Sequence, residues 1–317
     1  MPIIETKNLT RFYGKRIAVD NLSLTVEEGD IYGFVGPNGA GKTSTIRIIA
    51  TLLQATSGEA WISGHSVSKN PRGVRRAIGY MPDFFGVYND MQVWEYLDFF
   101  GACYNIDETT RKGLIDDLLE LIDLQHRRND MVDKLSRGMK QRLSLARTLI
   151  HDPQVLILDE PASGLDPRAR VEIRQLLLEL AQMGKTIFFS THILADVAEI
   201  CTRVGIIEAG KMVATGGIDE LQQLIMPHRQ VQLTVLNRGD ETKTTLDGIP
   251  GVSSVEVLTP NHNGGRARVE FEFTGEDDEL SGLLSNLISS GIQVIHFSEE
   301  SRDLEEVFMR VTKGLVT

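Results

Sequence analysis

A glycine-rich stretch near the N-terminus carries residue types that bind phosphate. Gly36-Pro-Asn-Gly-Ala-Gly-Lys-Thr43 matches G-x-x-x-x-G-K-[ST], follows an apolar run (IYGFV) and opens a helical pattern. Glycines let the backbone curl so that successive N–H groups meet phosphate oxygens, and the following helix N-terminus favours an anion. Lys42 is placed to reach the β- and γ-phosphates, and the Thr43 hydroxyl to ligate Mg²⁺. The predicted nucleotide site comprises Gly36, Pro37, Asn38, Gly39, Ala40, Gly41, Lys42, Thr43 and Ser44.

The apolar run VLILDE, residues 155–160, ends in two acids. A strand of this kind delivers Asp159 and Glu160 to the carboxyl edge of a sheet, where ligands of such folds bind. An isolated pair of this type usually faces solvent. Beside a phosphate loop, we expect Asp159 to hold the Mg²⁺ shell and Glu160 to take a proton from the attacking water.

A second candidate anion site begins another helix. The string LSRGMKQR, residues 135–142, opens an amphipathic pattern with Ser136 as the expected N-cap. The simplest interpretation is a capped surface helix, but Ser136 and the backbone of Gly138 at a helix N-terminus can also bind an anion. Two phosphate-binding helix starts in one chain are explained if the second serves the nucleotide of a neighbouring subunit.

Two further strings follow the acids: SGLD, which ends at Asp166, and STH, which ends at His192. Because His192 leaves its strand at the same sheet edge as Glu160, we expect it to contact the γ-phosphate. Asp166 is included in the predicted nucleotide site. The phosphate loop alone does not separate a kinase, a GTPase and an ATPase, whereas the downstream strings favour an ATPase.

Regular elements must position these motifs. Residues 3–32 are typical of several strands joined by turns, residues 41–53 and 91–150 of helices, and residues 155–160 and 186–192 of uniformly apolar strands. Such strands alternating with helices indicate a parallel sheet covered on both faces.

The pattern changes near residues 224–229, which predicts a boundary between a domain of residues 1–225 and one of residues 229–317. The second domain shows the order strand-helix-strand-strand-helix-strand of a small α+β, ferredoxin-like unit, followed by a tail helix. It contains no motif that assigns a site.

Composition limits the possible functions. A net charge of −11 over 317 residues argues against nucleic acid as the main partner, since phosphate backbones call for clustered Lys and Arg. The N-terminal run predicts no signal peptide, and no window approaches the roughly 18 apolar residues that span a bilayer. The two cysteines, Cys103 and Cys201, are expected to be small core residues.

In this order, GPNGAGKT, LSRGMKQ, VLILDE, SGLD and STH resemble the nucleotide-binding subunit of ATP-binding cassette (ABC) transporters, over residues 3–222. The resemblance implies a P-loop NTPase (RecA-like) α/β cassette with an antiparallel β subdomain and an α-helical subdomain. It also implies ATP and Mg²⁺ as cofactors, and Tyr13 stacked on adenine. With its C-terminal extension the chain is similar to the ATPases of the bacterial multidrug, lipid or polysaccharide export group.

The same resemblance implies partners and a location. Two cassettes, here expected as a homodimer, would dimerise head to tail on the inner face of the cell membrane and drive a separate permease. The stretch GYMPDFFGVYN, residues 79–89, is expected to be irregular. With a helix over residues 91–100, its residues Phe84, Phe85 and Tyr88 would line the groove that receives the permease.

The chain departs from the family pattern at three positions. Asp83 stands where the family has Gln; it is shorter and charged, and is expected near Mg²⁺. Arg137 and Met139 replace the first Gly and the Gln of LSGGQ, while Ser136 and Gly138 remain.

The residues leave two classes of alternative function to weigh: a soluble ABC ATPase without a transport role, and a P-loop GTPase or kinase. A soluble ABC ATPase of translation or DNA repair would usually carry two cassettes, a coiled-coil insertion or zinc-binding cysteines, and none of these patterns is present. A GTPase should show an Asn-Lys-x-Asp string, which the sequence lacks, and a kinase would not need the helix that begins at Ser136.

Overall fold

The computed structural model describes residues 2–83, 90–225, 228–236, 238–258, 265–299 and 304–312. The chain divides into two compact units between Ile218 and Asp219. Within the described ranges, no helix has both the length and the apolar character needed to cross a membrane.

The first unit contains two sheets and the helices around them. Its strands are β1 (Pro2–Tyr13), β2 (Arg16–Glu27), β3 (Ile31–Val35), β4 (Ser57–Ile62), β5 (His65–Ser66), β6 (Ile78–Met81), β7 (Val155–Asp159), β8 (Thr186–Thr191), β9 (Arg203–Glu208) and β10 (Lys211–Gly217). Its helices are α1 (Lys42–Ile49), α2 (Pro71–Ala77), α3 (Val93–Cys103), α4 (Glu108–Leu121), α5 (Arg137–Leu149), α6 (Pro167–Gln182) and α7 (Leu194–Ile200), and α8 (Ile218–Ile225) begins at the boundary.

The larger sheet has the strand order β10-β9-β3-β8-β7-β6. Its strands pair in parallel from β9 through β6, and only the pair of β9 with β10 is antiparallel. All residues of β3, β7 and β8 are buried, as their continuous apolar sequence requires in a sheet covered on both faces. The predicted parallel sheet is confirmed, and it brings the carboxyl ends of β3, β7 and β8 to one edge.

The smaller sheet is antiparallel, in the order β2-β1-β4-β5. Strands β1 and β2 form a hairpin whose tight turn contains Gly14 at φ 60°. Alternate residues of β2, such as Leu22, Leu24 and Val26, are buried. This sheet accounts for the strands predicted within residues 3–32.

Three local expectations are corrected. Helix α1 ends at Ile49 rather than continuing to residue 53, because Thr51 adopts φ 64° and the chain turns back on the carbonyl of Arg47. Residues 79–81, expected to be irregular, complete β6 through parallel pairing with β7; residues 84–89 lie outside the described residues. The helix expected over residues 91–100 is α3, which starts later because Gln92 and Glu95 form a capping box.

The two cysteines, both expected in the core, differ in their burial. Cys103, at the end of α3, is exposed, so the prediction for it is wrong. Cys201 is partly buried, with its Sγ 2.8 Å from where a Cβ on Gly33 would lie.

The second unit is a four-stranded antiparallel sheet with helices. Its elements are β11 (Arg229–Leu236), α9 (Gly239–Asp247), β12 (Val252–Val257), β13 (Arg266–Phe273), α10 (Asp277–Ser289), β14 (Gln293–Glu299) and α11 (Leu304–Val311). The sheet order β12-β13-β11-β14 and the element order are those of a split βαβ, ferredoxin-like unit. Alternating apolar residues of β11 and β13 pack with Leu283 and Leu287 of α10 in the core of this unit.

Candidate active site

The phosphate loop joins the end of β3 to the start of α1. A Cβ on Gly36 would lie 2.3 Å from the carbonyl oxygen of Ile207, and one on Gly41 the same distance from that of Ala18. Gly41 also has φ 107°, a conformation that L side chains rarely adopt. The glycines of the motif therefore serve close backbone packing, which leaves the loop curled around the N-terminus of α1.

The Lys42 ammonium is buried at the start of α1 and is held by the loop itself. Its Nζ donates to the carbonyl of Gly36 at 2.7 Å and to that of Pro37 at 3.4 Å. It also forms an ion pair with Glu160 Oε1 at 3.3 Å. The cation is thus fixed at the mouth of the loop, where a phosphate would bind.

Asp159, the last residue of β7, accepts two hydrogen bonds on one carboxylate oxygen. Ser190 Oγ donates to Oδ1 at 2.7 Å, and Thr43 Oγ1 donates to the same atom at 3.3 Å. Burial raises the pKa of Asp159, those two hydrogen bonds oppose the rise, and the negative charges of Asp83 and Glu160 add to it. A hydroxyl and a carboxylate oxygen at this separation are the oxygen donors that Mg²⁺ takes, so the residues fit the ion.

Glu160 follows β7 in a backbone conformation that is unusual for a non-glycine residue, with φ 51°. Its N–H is held by the Ser190 carbonyl at 3.2 Å and by Ser190 Oγ at 3.1 Å. Its Oε2 lies 2.8 Å from His192 Nδ1, at the end of β8. The carboxylate is consequently held from both sides, by Lys42 and by His192.

Lys42, Glu160 and His192 border one cleft of about 570 Å³, and the buried Asp159 is not among the residues that line it. It is lined by Tyr13, Arg16, Ala18, Asn38, Gly39, Gly41, Lys42, Thr43, Ser44, Asp83, Glu160, Ser163 and His192. The structure therefore brings together most of the residues predicted for the site. Gly36, Pro37 and Ala40 support the loop from behind: the carbonyls of Gly36 and Pro37 accept from Lys42, and Ala40 is buried.

Tyr13 stands at one end of the cleft and is 45% exposed. The guanidinium of Arg11 lies 4.8 Å from the centroid of its ring, a cation–π contact. Arg16 pairs directly with Tyr13 across the hairpin and also lines the cleft, although sequence reasoning did not select it. The two-residue turn Gly14-Lys15 was a usable signal, because residues opposed across such a turn share a face.

Other predicted residues lie away from this cleft. Ser136 caps α5 by accepting from the N–H of Met139 at 3.3 Å, and neither it nor Gly138 lines the cleft. Asp166 caps α6 in the same way, accepting from the N–H of Ala169 at 3.0 Å. Ser190 supports both acids, a role that its motif alone did not reveal.

Two family models match the chain. The first, described as ABC transporter, matches residues 19–163, and the second, described as ATP-binding protein DrrA1-3-like, C-terminal domain, matches residues 216–312.

Relatives match along almost the whole length. The bacitracin transport ATP-binding protein BcrA of Bacillus licheniformis is 36% identical over 313 residues, covering 98% of each chain. The Nod factor export ATP-binding protein I of Burkholderia lata is 32% identical, again over 98% of each chain.

A solved structure of an ATP-binding subunit of an ABC transporter superposes with a TM-score of 0.64 at 28% identity, covering 70% of this chain and 92% of that one. The relatives' names are those of transport proteins, which fits a transporter subunit rather than an ATPase of translation or repair. The chain belongs to the ABC transporter family, as an ATP-binding, ATP-hydrolysing subunit that dimerises and works with a membrane permease.

Proposed function

We propose that this chain hydrolyses Mg²⁺-bound ATP with Glu160 as general base, and that hydrolysis drives export through its permease. The observation that carries the proposal is the Glu160 carboxylate held between Lys42 and His192, at the border of the 570 Å³ cleft. The name of the Nod factor export relative supports transport out of the cell, and that of the bacitracin relative supports transport.

Each residue at the cleft has a proposed role. Lys42 and the loop N–H groups bind the β- and γ-phosphates, and Tyr13 stacks on the adenine. Glu160 accepts a proton from water as its oxygen attacks the γ-phosphorus and the bond to the bridging oxygen of ADP breaks. His192 donates to the γ-phosphate and orients Glu160.

Thr43 and Asp159 would hold Mg²⁺, with Asp83 close enough for its charge to act on Asp159. The ion supplies neutralisation of charge on the phosphate oxygens. We also propose that residues 1–225 form the cassette and residues 229–317 an accessory domain.

A second copy completes the site in this proposal. Ser136 and Gly138 begin α5 outside their own chain's cleft and are available to an opposing phosphate. In the proposed head-to-tail dimer, Ser136 and Gly138 contact the partner's nucleotide, and Asp166 is also proposed to belong to the nucleotide site.

The permease is proposed to dock against the first unit at a second pocket of about 240 Å³. The pocket is lined by Ala50, Leu52, Arg75, Ile78, Tyr80, Phe100, Tyr104, Arg147, Thr148 and His151. Leu52 and Tyr104 are 59% and 43% exposed, which is typical of an interaction surface. These described lining residues include two arginines and no acid, so the occupant should be a cytoplasmic permease segment carrying an apolar side chain beside a carboxylate.

Phe84, Phe85 and Tyr88 lie outside the described residues and remain proposed contacts of the permease. Docking there would hold the chain on the inner face of the membrane. Leu52→Glu should release it from permease-containing vesicles, whereas Met183→Glu, at another exposed apolar position (64%), should not. Retention of the Leu52→Glu variant would overturn the docking assignment.

The decisive test of hydrolysis is Glu160→Gln. The amide keeps the size of the side chain but cannot take a proton, so kcat should fall about 100-fold or more, with ATP binding retained. The matched control is Glu172→Gln, an acid on α6 that pairs with Arg168 and does not line the cleft. Steady-state hydrolysis near the wild-type rate in Glu160→Gln would reject the general base.

A further inference from the structure

Arg137, the first residue of α5, reaches across to the segment that follows Glu160. Its Nη2 donates to the carbonyl oxygen of Ser163 at 3.1 Å. The guanidinium also lies against Gly164: a Cβ built there would be 2.4 to 2.6 Å from its Nη2, Cζ and Nη1 atoms. Gly164 has φ 64°, and because it has no side chain it both permits this turn and leaves room for the arginine.

A second contact lies one helical turn further along α5. Gln141, which is buried, donates from Nε2 to the carbonyl of Pro161 at 2.6 Å. Positions four apart share a helix face, so Arg137 and Gln141 hold the segment 161–164 from the same side. Two hydrogen bonds therefore join the N-terminal part of α5 to this segment.

The segment 161–164 directly follows Glu160 in the chain. Ser163 N–H donates to the Glu160 carbonyl at 3.1 Å, and Ser163 itself lines the nucleotide cleft. Because Glu160 has the unfavourable φ of 51°, its position depends on the contacts that surround it. A hydrogen bond that fixes Ser163 is thus one of the contacts that hold the backbone of Glu160.

We propose that Arg137 is a positioning residue that ties Glu160, through Ser163, to the α5 terminus that the second copy's nucleotide contacts. The inference rests on the proposed dimer and on Glu160 as base. Since Ser136 immediately precedes Arg137, a nucleotide that draws Ser136 toward it also moves the segment behind Glu160 in the other site. Arg137 thereby makes hydrolysis at one site depend on occupancy of the other.

Removing the Arg137 side chain should lower the rate of hydrolysis more than it weakens nucleotide binding. For Arg137→Ala we expect kcat to fall about fivefold, the share of one exposed charged hydrogen bond, with KM changed less than about twofold. The Hill coefficient for ATP should fall toward one, and Arg137→Lys, which keeps a donor, should recover part of kcat. The control is Arg168→Ala: this arginine is also exposed in the first turn of a helix, but it pairs with Glu172.

A double-mutant cycle tests the contact itself. Gly164→Ala introduces strain at positive φ and a clash with the guanidinium, and only the clash disappears in the Arg137→Ala background. Gly164→Ala should therefore reduce kcat less in that background than in the wild type.

The inference is overturned if Arg137→Ala matches Arg168→Ala in kcat and Hill coefficient. It is also overturned if nucleotide binding and kcat fall together, or if the two substitutions are additive. None of these results would show whether Glu160 is the general base. The Glu160→Gln experiment therefore tests the proposed function separately.

Discussion

Glu160 Oε2 lies 2.8 Å from Nδ1 of His192, although the two residues are contributed by different strands of the sheet. Glu160 follows β7 and His192 follows β8, and the two strands pair in parallel up to Asp159 and Ser190. The register of the sheet therefore sets this distance. A water that meets Glu160 and a phosphate that meets His192 would be brought together by the same alignment.

Replacing His192 by alanine should weaken hydrolysis more than binding. The variant loses the partner that orients Glu160 and the donor proposed for the γ-phosphate, so kcat should fall about 100-fold while nucleotide affinity changes little. Steady-state hydrolysis and fluorescent-nucleotide titration measure the two effects. His228→Ala, which removes an exposed histidine that contacts Thr274, serves as control; equal kcat in both variants would contradict the assignment.

Asp159 should make Mg²⁺-dependent binding sensitive to pH. Burial raises the pKa of Asp159 above the usual 3.8, so folding shifts its proton equilibrium toward the protonated form. Its contribution to stability is accordingly present at low pH and lost as pH rises through the raised pKa, whereas Mg²⁺ binding needs the deprotonated form.

We therefore expect the Mg²⁺-dependent gain in ATP affinity to fall on acidification with a midpoint above 3.8. Titration with and without Mg²⁺ across the acidic range measures it. In Asp159→Asn the Mg²⁺-dependent gain should largely vanish at every pH. A wild-type midpoint at or below the ordinary aspartate value would argue against the raised pKa.

Gly36→Ala should distort the phosphate loop, although the substitution itself removes no contact with the ligand. Its Cβ would lie 2.3 Å from the backbone oxygen of Ile207, so the loop or β9 must shift. ATP affinity should drop at least about tenfold, the equivalent of 1.4 kcal/mol. Gly113→Ala in α4 meets nothing within 4 Å and should leave affinity unchanged, with stability equal or higher by up to about 1 kcal/mol.

His151 should contribute a pH dependence to folding. It stacks on Tyr104 with ring centroids 3.9 Å apart, and its Nε2 lies 2.9 Å from the Ile78 carbonyl. Burial lowers the pKa of His151 below the usual 6.5, while Asp152 acts in the opposite direction. Its stabilising effect is present above 6.5 and is lost as pH falls from there through the lowered pKa.

His151→Gln keeps an amide that can donate to the carbonyl but does not titrate. Between about pH 7.5 and about pH 5.5 the free energy of unfolding should fall further in the wild type than in this variant. Denaturant unfolding at both values gives the comparison. Parallel pH profiles would show that protonation of His151 does not affect folding.

Much of the fold and site was predictable because the motifs carry local requirements. Gly36 to Thr43 must curl around phosphate, and the all-apolar β7 must be buried on both faces, so each string restricts its own structure. The end of α1 was not predictable in that way: the apolar spacing continues to Leu53, yet Thr51 turns the chain. Likewise, the contact of Arg137 with Ser163 joins residues 26 positions apart, and only the packing of α5 reveals it.

The partners of Lys42 have a consequence for the end of the catalytic cycle. Its ammonium is already satisfied by the Gly36 carbonyl and by the Glu160 carboxylate, at 2.7 and 3.3 Å. Inorganic phosphate left by hydrolysis must compete with these two groups, and one of them carries the same sign of charge as the departing anion. The protein thus contains an internal competitor for its own product, which favours phosphate dissociation and the return of the site to a new round.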